Sequence, residues 1–417
     1  MSKTREIVDG NIYQKGTNVG TNNKFQDGLT SKNGVVIGAE SGKSLTDGDE
    51  NVLIGYDNGT LITEGGYNTF IGTYNGSSSA QIGNNIGIGA ANMTSATDDC
   101  FYNISVGQNN LQSCSTGTSN ITMGYNAGKN ITTGSLNILI GEACGDAFTT
   151  GEKNVGIGAA FNQVSGGNSN VAIGDGTHGG YSSYSSYNVS VGKSAAANLK
   201  GDSNTAIGCY ALFSLGDYDH NTAVGRDALK LMVDGSSNDA STNATGIGYD
   251  ARVSGDNQVQ LGNTATTTYV YGTVQDRSDN RDKAEVRDIT LGLDFINSLR
   301  PVDYKWDFRS DYQTSEEVLV SEAYEEQDKG GKLIKHEAEY KTVISANEKD
   351  GSKVRSRFHH GFIAQEIGEN PAEFGGYQDH ALNGGSEIQS LGYNEFIAPL
   401  VKAVQELTAR VKELEGK

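Results

Sequence analysis

From about residue 34 to about residue 262 the chain repeats one short unit, GxxNxxIG or a close variant, at intervals of about 17 residues. Clear copies are NVLIG at Asn51, NTFIG at Asn68, NIGIG at Asn85, NISVG at Asn103, NITMG at Asn120, NILIG at Asn137 and NVGIG at Asn154, followed by copies at Asn170, Asn188, Asn204 and Asn221. The series decays through ATGIG near Gly248 and QVQLG near Gly262, as the closing coils of a solenoid do. Within each copy the second and fourth residues are usually apolar and share one face of a short strand, as Val171 with Ile173 or Ile138 with Ile140. We expect that face to point inward. The residue between them is often small (Ala172, Ser190, Ala206, Ala223), and we expect it on the opposite face, where another surface can come close. The glycine that follows turns the chain without a side-chain clash. Three residues beyond it stands alanine in many copies (Ala127, Ala195, Ala211, Ala228, Ala251) or, earlier, asparagine (Asn58, Asn75, Asn92, Asn110), which suits stacking as polar ladders. One coil cannot bury its own apolar stripe, but parallel strands stacked at ~4.8 Å share a core, so about 14 coils make a rod of roughly 65 Å.

Composition supports a thin stack over a large globule: 56 glycines, 3 prolines and only 35 % hydrophobic residues. Collagen is excluded, since glycine does not recur at every third position and proline is scarce. Near residue 276 glycine thins out, charge rises and the only tryptophan, Trp306, appears. The pattern therefore divides the chain into 1–30, a repeat region 31–275, and a C-terminal domain 276–417. Within the last, Arg309 to Arg357 brackets a highly charged insert read as a solvated hairpin or arm. Its final stretch places Ile397, Leu400, Val404, Leu407, Val411 and Leu414 alternately three and four residues apart, the seam of a short coiled coil.

A formal charge of −19 speaks against a nucleic-acid partner bound through phosphates. Cys100, Cys114, Cys144 and Cys209 lack metal-ligand spacing and read as buried free thiols; no metal or cofactor site is read from the chain. MSKTREIVDG lacks the apolar core of a secretion signal, and no stretch approaches the ~20 apolar residues of a membrane span. We therefore expect folding in a cytoplasm and no membrane insertion.

The repeat resembles the head of trimeric autotransporter adhesins, a parallel β-roll of three chains, over roughly residues 31 to 265, although the period here is longer. The C-terminal domain closely resembles the self-cleaving intramolecular chaperone of phage tail spikes and fibres. The resemblance rests on SDNRDK from Ser278 to Lys283, LDFINSLRPVDYKW up to Trp306, GFIAQE from Gly361 to Glu366 and the terminal helix, in the family's order. Together these imply a mainly β fold: a trimeric parallel β-solenoid shaft, then an α/β chaperone domain ending in a coiled-coil helix. The seam residues alone lean toward dimers, so the homotrimer rests on the family. What the resemblance implies chemically is a serine-lysine dyad, Ser278 as nucleophile and Lys283 as base. Asp279 and Arg281 would shape the site, His359 or His360 would support it (we favour His360), and the break would fall between Ser278 and Asp279.

The repeat asparagines and glycines read as turn and ladder elements, so binding is sought in loops that leave the period. Two stand out, Gly174 to Asn188 and Leu229 to Asn243. The first offers His178, Tyr181, Tyr184 and Tyr187 among serines and glycines, a mixture that suits sugars or protein surfaces. The function expected is a virion tail fibre, assembled in the host cytoplasm, that recognises a bacterial surface glycan or protein and docks on a tail or baseplate protein through residues 1–30. The alternative is a tail-spike depolymerase, for which Glu142, Asp146, Asp175, Asp217 and Asp219 are the available carboxylates. A membrane-tethered transcription factor with the same module is excluded by the charge, the missing span and the missing DNA-binding domain.

Overall fold

The structure, a computed structural model, describes residues 6–8, 11–13, 34–161, 166–178, 184–213, 216, 219–238, 241–321, 324–327, 333–336, 339–370, 373–381 and 387–416. Most of residues 1–30 lies outside them; Glu6–Val8 pairs antiparallel with Asn11–Tyr13. The chain divides into two compact units, Met1–Lys230 with Asn238–Ala251, and Leu231–Ser237 with Arg252–Lys417.

The first unit is a parallel β-solenoid. Thirteen short strands, from Val35–Ile37 to Thr245–Ile247, stack in chain order, each hydrogen-bonded in parallel to the next. The register sets equivalent repeat positions opposite one another, Leu53 against Phe70 and Leu139 against Gly156. What fixes this register is the repeat asparagine, buried in every copy from Asn51 to Asn221. Asn120 shows the pattern. Its Oδ1 accepts the backbone N–H of Asn137 at 3.0 Å and the side-chain amide of Asn137 at 3.0 Å. Its Nδ2 donates to Asn103 Oδ1 at 3.1 Å and to the Gly134 carbonyl at 2.9 Å. A primary amide has donors and acceptors at opposite ends, so a column of them satisfies itself without water. A second column runs Asn58, Asn75, Asn92, Asn110 and ends where Ala127 donates its N–H to Asn110 Oδ1 at 2.8 Å. Beyond that point the same wall continues through buried Cys144, Ala160 and Thr177 and then through buried Ala195, Ala211, Ala228 and Ala251.

These columns reverse the expected facing of the strands. Because the asparagine points inward and side chains alternate, the middle strand residue also points inward: Leu53, Phe70, Ser105, Thr122, Leu139 and Ala172 are fully buried. The flanking apolar pair faces out, with Ile37 49 %, Met123 43 % and Ile247 45 % exposed. Where the middle residue is small, a larger side chain fills the interior beside it: a Cβ at Gly87 would meet the Phe70 ring, and one at Gly246 would meet Leu229. At the turn, Gly72 sits at φ +121°, and a Cβ there would collide with the carbonyl oxygen of Gly89 in the next coil. Glycine is required at that position by the closeness of the stacking as well as by the backbone angle.

The cysteine expectation is also corrected. Cys100 and Cys114 form a disulfide, with Cα atoms 6.0 Å apart, and only Cys144 and Cys209 are free. Cys144 is buried, and its thiol is pushed up to about 11 by burial; Cys209 is half-buried. Farther along, Phe148 and Phe161 stack at 4.9 Å, and His178 packs edge-on against Phe161 at 5.3 Å. The His178 ring is buried, with Nε2 2.9 Å from Ser185 Oγ and Nδ1 unpartnered. Burial alone pushes its pKa down to about 4.

The second unit holds helices α1 (Leu293–Ser298), α2 (Ala364–Gly368) and α3 (Ile397–Glu415), with α1 packed on α3. Pro399 and Ala403 of α3 are buried, and Glu406 accepts the Leu293 N–H at 2.8 Å, a carboxylate at the start of α1 where free N–H groups favour negative charge. That hydrogen bond is the main reason the Glu406 carboxyl lies below its ordinary range. The seam residues Ile397, Leu400, Val404, Leu407, Val411 and Leu414 are all exposed. A core of Phe295, Ile367, Phe374 and Phe396 lies under Leu299, Phe362 and Leu391. The charged insert is a β-hairpin, Gln313–Ser321 pairing antiparallel with Glu339–Ala346 and Tyr324–Gln327 with Leu333–His336.

Two outcomes test the solenoid. Asn120→Ala strands the Asn137 N–H and the Gly134 carbonyl in the interior, and should lower stability by about 3 kcal/mol or more in guanidinium unfolding; a loss under ~0.5 kcal/mol would show that the column is not what holds the coils. For His178, folding favours the neutral ring. Its contribution is therefore complete above the ordinary imidazole value near 6.5 and is lost as pH falls from there through about 4. Unfolding midpoints followed from pH 7.5 to pH 4 should lose ~3 kcal/mol through this group, and His178→Phe should flatten that part of the profile; an unaltered profile in the variant refutes the assignment.

Candidate functional site

After the strand Val259–Leu261 the chain runs through Thr266 to Asp276 as an exposed connection. Its first ordered turn is the 3-10 helix Asn280–Asp282, and Asp279 caps it. Asp279 Oδ1 accepts the Arg281 N–H at 2.9 Å, and the Arg281 guanidinium closes on the same carboxylate, Nη2 to Oδ2 at 2.6 Å. That pairing holds the Asp279 carboxyl below the usual carboxylate range and raises Arg281. Arg277 makes a second ion pair, Nε to Asp282 Oδ2 at 2.9 Å. The turn brings the residue five positions on back over Ser278: Lys283 Nζ donates to Ser278 Oγ at 2.7 Å. Both side chains are exposed. The hydroxyl and amine are within proton-transfer distance, in a serine-lysine arrangement able to support nucleophilic chemistry once the lysine is neutral.

His360 stands elsewhere in the frame. Its Nδ1 is 2.6 Å from Asp303 Oδ1, where the strand His359–Gly361 pairs antiparallel with Val302–Tyr304, and it makes no hydrogen bond to Ser278 or Lys283. His359 stacks on Tyr304 with ring centroids 5.8 Å apart. The two C-terminal sequence motifs are thus one structural unit, joined again by an ion pair of Arg300 with Glu366. One contact escaped the sequence reading: Asn394 Nδ2 reaches Asp276 Oδ2 at 3.3 Å, fastening the chain two residues before Ser278. Nothing local in NEF or QDR signals it, because the partners are 118 residues apart.

The loop candidates separate. Tyr184 and Tyr187 are 74 % and 65 % exposed, His178 is enclosed in the solenoid core, and Tyr181 lies outside the described residues. Of the carboxylates, Asp219 serves the stack, its Oδ1 accepting the Asp202 N–H at 2.7 Å. Asp146 is half-buried and raised by that burial, Glu142 and Asp175 are exposed, and Asp217 lies outside the described residues. Among the described residues no group of three His, Cys, Asp or Glu side chains could hold a metal ion, and no helix is long and apolar enough to cross a membrane.

Comparison with known proteins adds one finding to this geometry. No curated protein and no solved structure matches the chain. Residues 278–323, beginning at the dyad serine, match the family described as chaperone of endosialidase, and that match at the C-terminal end of a parallel β-solenoid fits a phage tail fibre with a C-terminal chaperone.

Proposed function

We propose that the chain is the homotrimeric tail fibre of a bacteriophage, whose solenoid presents loops to a bacterial surface glycan or protein and whose C-terminal domain aligns three copies and then cuts itself free. The observation that carries the reading is the 2.7 Å contact of Lys283 Nζ with Ser278 Oγ at the first residue of the chaperone match. In this reading Lys283 takes the hydroxyl proton and Ser278 Oγ attacks the Ser278–Asp279 carbonyl of a neighbouring copy, since attack on its own carbonyl would close a four-membered ring; the C–N bond breaks, Lys283 returns the proton to the leaving Asp279 amine, and water hydrolyses the ester so formed. Asp279 and Arg281 act as positioning residues, since their ion pair builds the turn that carries Lys283. A lysine accepts a proton only as the neutral amine, the form that removal from water favours. Covering by neighbouring copies would make cleavage wait for assembly.

Two unpartnered surfaces support the trimer. One is the outward row of Val, Ile and Met along the solenoid strands, the other the exposed seam of α3. Contiguous apolar surface on this scale marks an interaction site, and a row that repeats with the chain's own period suits copies of the same chain lying parallel. Tyr184 and Tyr187 are the exposed aromatic groups we place in the receptor-facing loop. Residues 1–30 are assigned to the tail or baseplate, and assembly to the host cytoplasm, with the mature protein on the virion.

Expression of the intact chain should yield fragments near 1–278 and 279–417 on a denaturing gel, and Ser278→Ala and Lys283→Met should each leave one uncut band. A wild-type chain that stays whole after trimer formation removes the proteolytic part of the reading. Independently, Met123→Asp with Ile138→Asp points two carboxylates out of the strand face. Sedimentation should show the trimer fraction falling at least tenfold, while circular dichroism keeps the solenoid signal; heat-resistant trimers in the double variant would show that this face is not the contact.

A further inference from the structure

Part of the chaperone grips a segment that precedes the cleavage position. Ser254 and Gln258 lie N-terminal to Ser278, whereas His380 and Ser390 lie C-terminal to it, on the hairpin formed by Tyr377–Asp379 and Gln389–Leu391. Gln258 Oε1 accepts the Ser254 backbone N–H at 2.9 Å and the Ser254 hydroxyl at 3.0 Å. A backbone N–H can only donate, so it fixes which end of the Gln258 amide is oxygen and turns Nε2 toward His380 Nδ1, 3.1 Å away. That Nε2 also only donates. His380 Nδ1 must therefore offer a lone pair, which puts the ring hydrogen on Nε2, 2.9 Å from Ser390 Oγ. Ser254 Oγ stands 3.2 Å from the same Nδ1. The His380 backbone is held in turn, its N–H donating to the Ile388 carbonyl at 2.9 Å. Ser254 is buried, and Gln258 and His380 are half-buried, so the contact is shielded on the side that matters.

We propose that this Ser254–Gln258–His380 clasp is a docking interface between the two products of self-cleavage, retaining the released 279–417 fragment on the segment that ends the shaft. The proposal rests on the reading of Ser278–Asp279 as the cut bond. Its chemistry is independent of that bond: every donor and acceptor in the clasp lies outside residues 259–379, and the connection from Thr266 to Asp276 is exposed. The partner is thus the chain's own severed end, recognised by an amide N–H donating to an imidazole lone pair, with the Ser254 hydroxyl and N–H orienting that amide. A few polar bonds, without a large apolar seal of their own, suit an attachment that is specific and reversible.

The test separates the clasp from the self-cleavage. In the full chain carrying Ser278→Ala, a site for a sequence-specific protease is inserted after Gly272, where a side chain would meet nothing within 4 Å. The trimer is held by an N-terminal tag and cut, and release of the C-terminal fragment is followed by gel densitometry. The fragment should stay on the otherwise unaltered clasp and leave at least tenfold faster with Gln258→Ala, which does not touch the hairpin, and with His380→Ala. Equal release from all three, whether slow or fast, overturns the proposal. Failure of self-cleavage would show separately, as an uncut chain with Ser278 intact, and has no bearing on the inserted site.

Discussion

The structure depends on one amide repeated: the buried asparagine whose two ends face the coils before and after it. Burying a primary amide without partners costs several kcal/mol, so each copy is stable only when its neighbours sit in the same register. The asparagine columns therefore do more than stabilise. They make a slipped stack more costly than a hydrophobic core of Leu, Ile and Phe alone would, because apolar side chains tolerate displacement and amide ladders do not. The glycine turns follow from the same closeness, since coils near enough to share these hydrogen bonds leave no room for a Cβ between turn carbonyls.

That constraint also decides what the chain must find outside itself. Once the asparagine points inward, strand alternation turns the two apolar residues of each repeat outward. A coil that carries an apolar row on its outer strand face leaves that surface for the proposed trimer to cover. Parallel stacking is built from contacts between successive coils, each closed only after its neighbour forms, and exposed apolar rows invite wrong pairings meanwhile. The separable domain of the proposed function, bringing three chains together in register, would answer both difficulties. The 3-10 turn at Asn280 keeps Ser278 and Lys283 together and exposed, so in the proposed reading cutting would wait until neighbouring copies cover them.

Much of this was legible in the sequence. The period near 17 gave away a solenoid because each coil repeats the same hydrogen-bonding problem, and the asparagine at positions such as Asn58 and Asn75 was recognisable as a ladder. The facing of Val171 and Ile173 was misread, since alternation alone does not say which side is in; the polar asparagine two positions before Ala172 decides it, and a buried polar residue is not what hydrophobic patterning looks for. The Cys100–Cys114 bond escaped for a related reason: residues 14 apart become neighbours only after winding. Ser278 and Lys283 were visible as a short motif because one turn joins them. The ties that cross the domain, Arg300 to Glu366 and Asp303 to His360, have no local signature.

His178 shows why residue type is a weak guide in such a stack. Histidine among tyrosines and serines reads as a binding loop, yet the ring closes the aromatic column of Phe148 and Phe161, with Ser185 as its hydrogen-bond partner among the described residues. In a solenoid the same stretch of chain supplies both wall and surface within a few residues, so exposure changes from one position to the next. What distinguishes His178 from Tyr184 is its place in the period: one lies where the coil interior repeats, the other where the chain leaves it. Recognition in a fibre of this kind should accordingly be sought at residues that interrupt the repeat, since those that keep it are committed to holding the next coil in place.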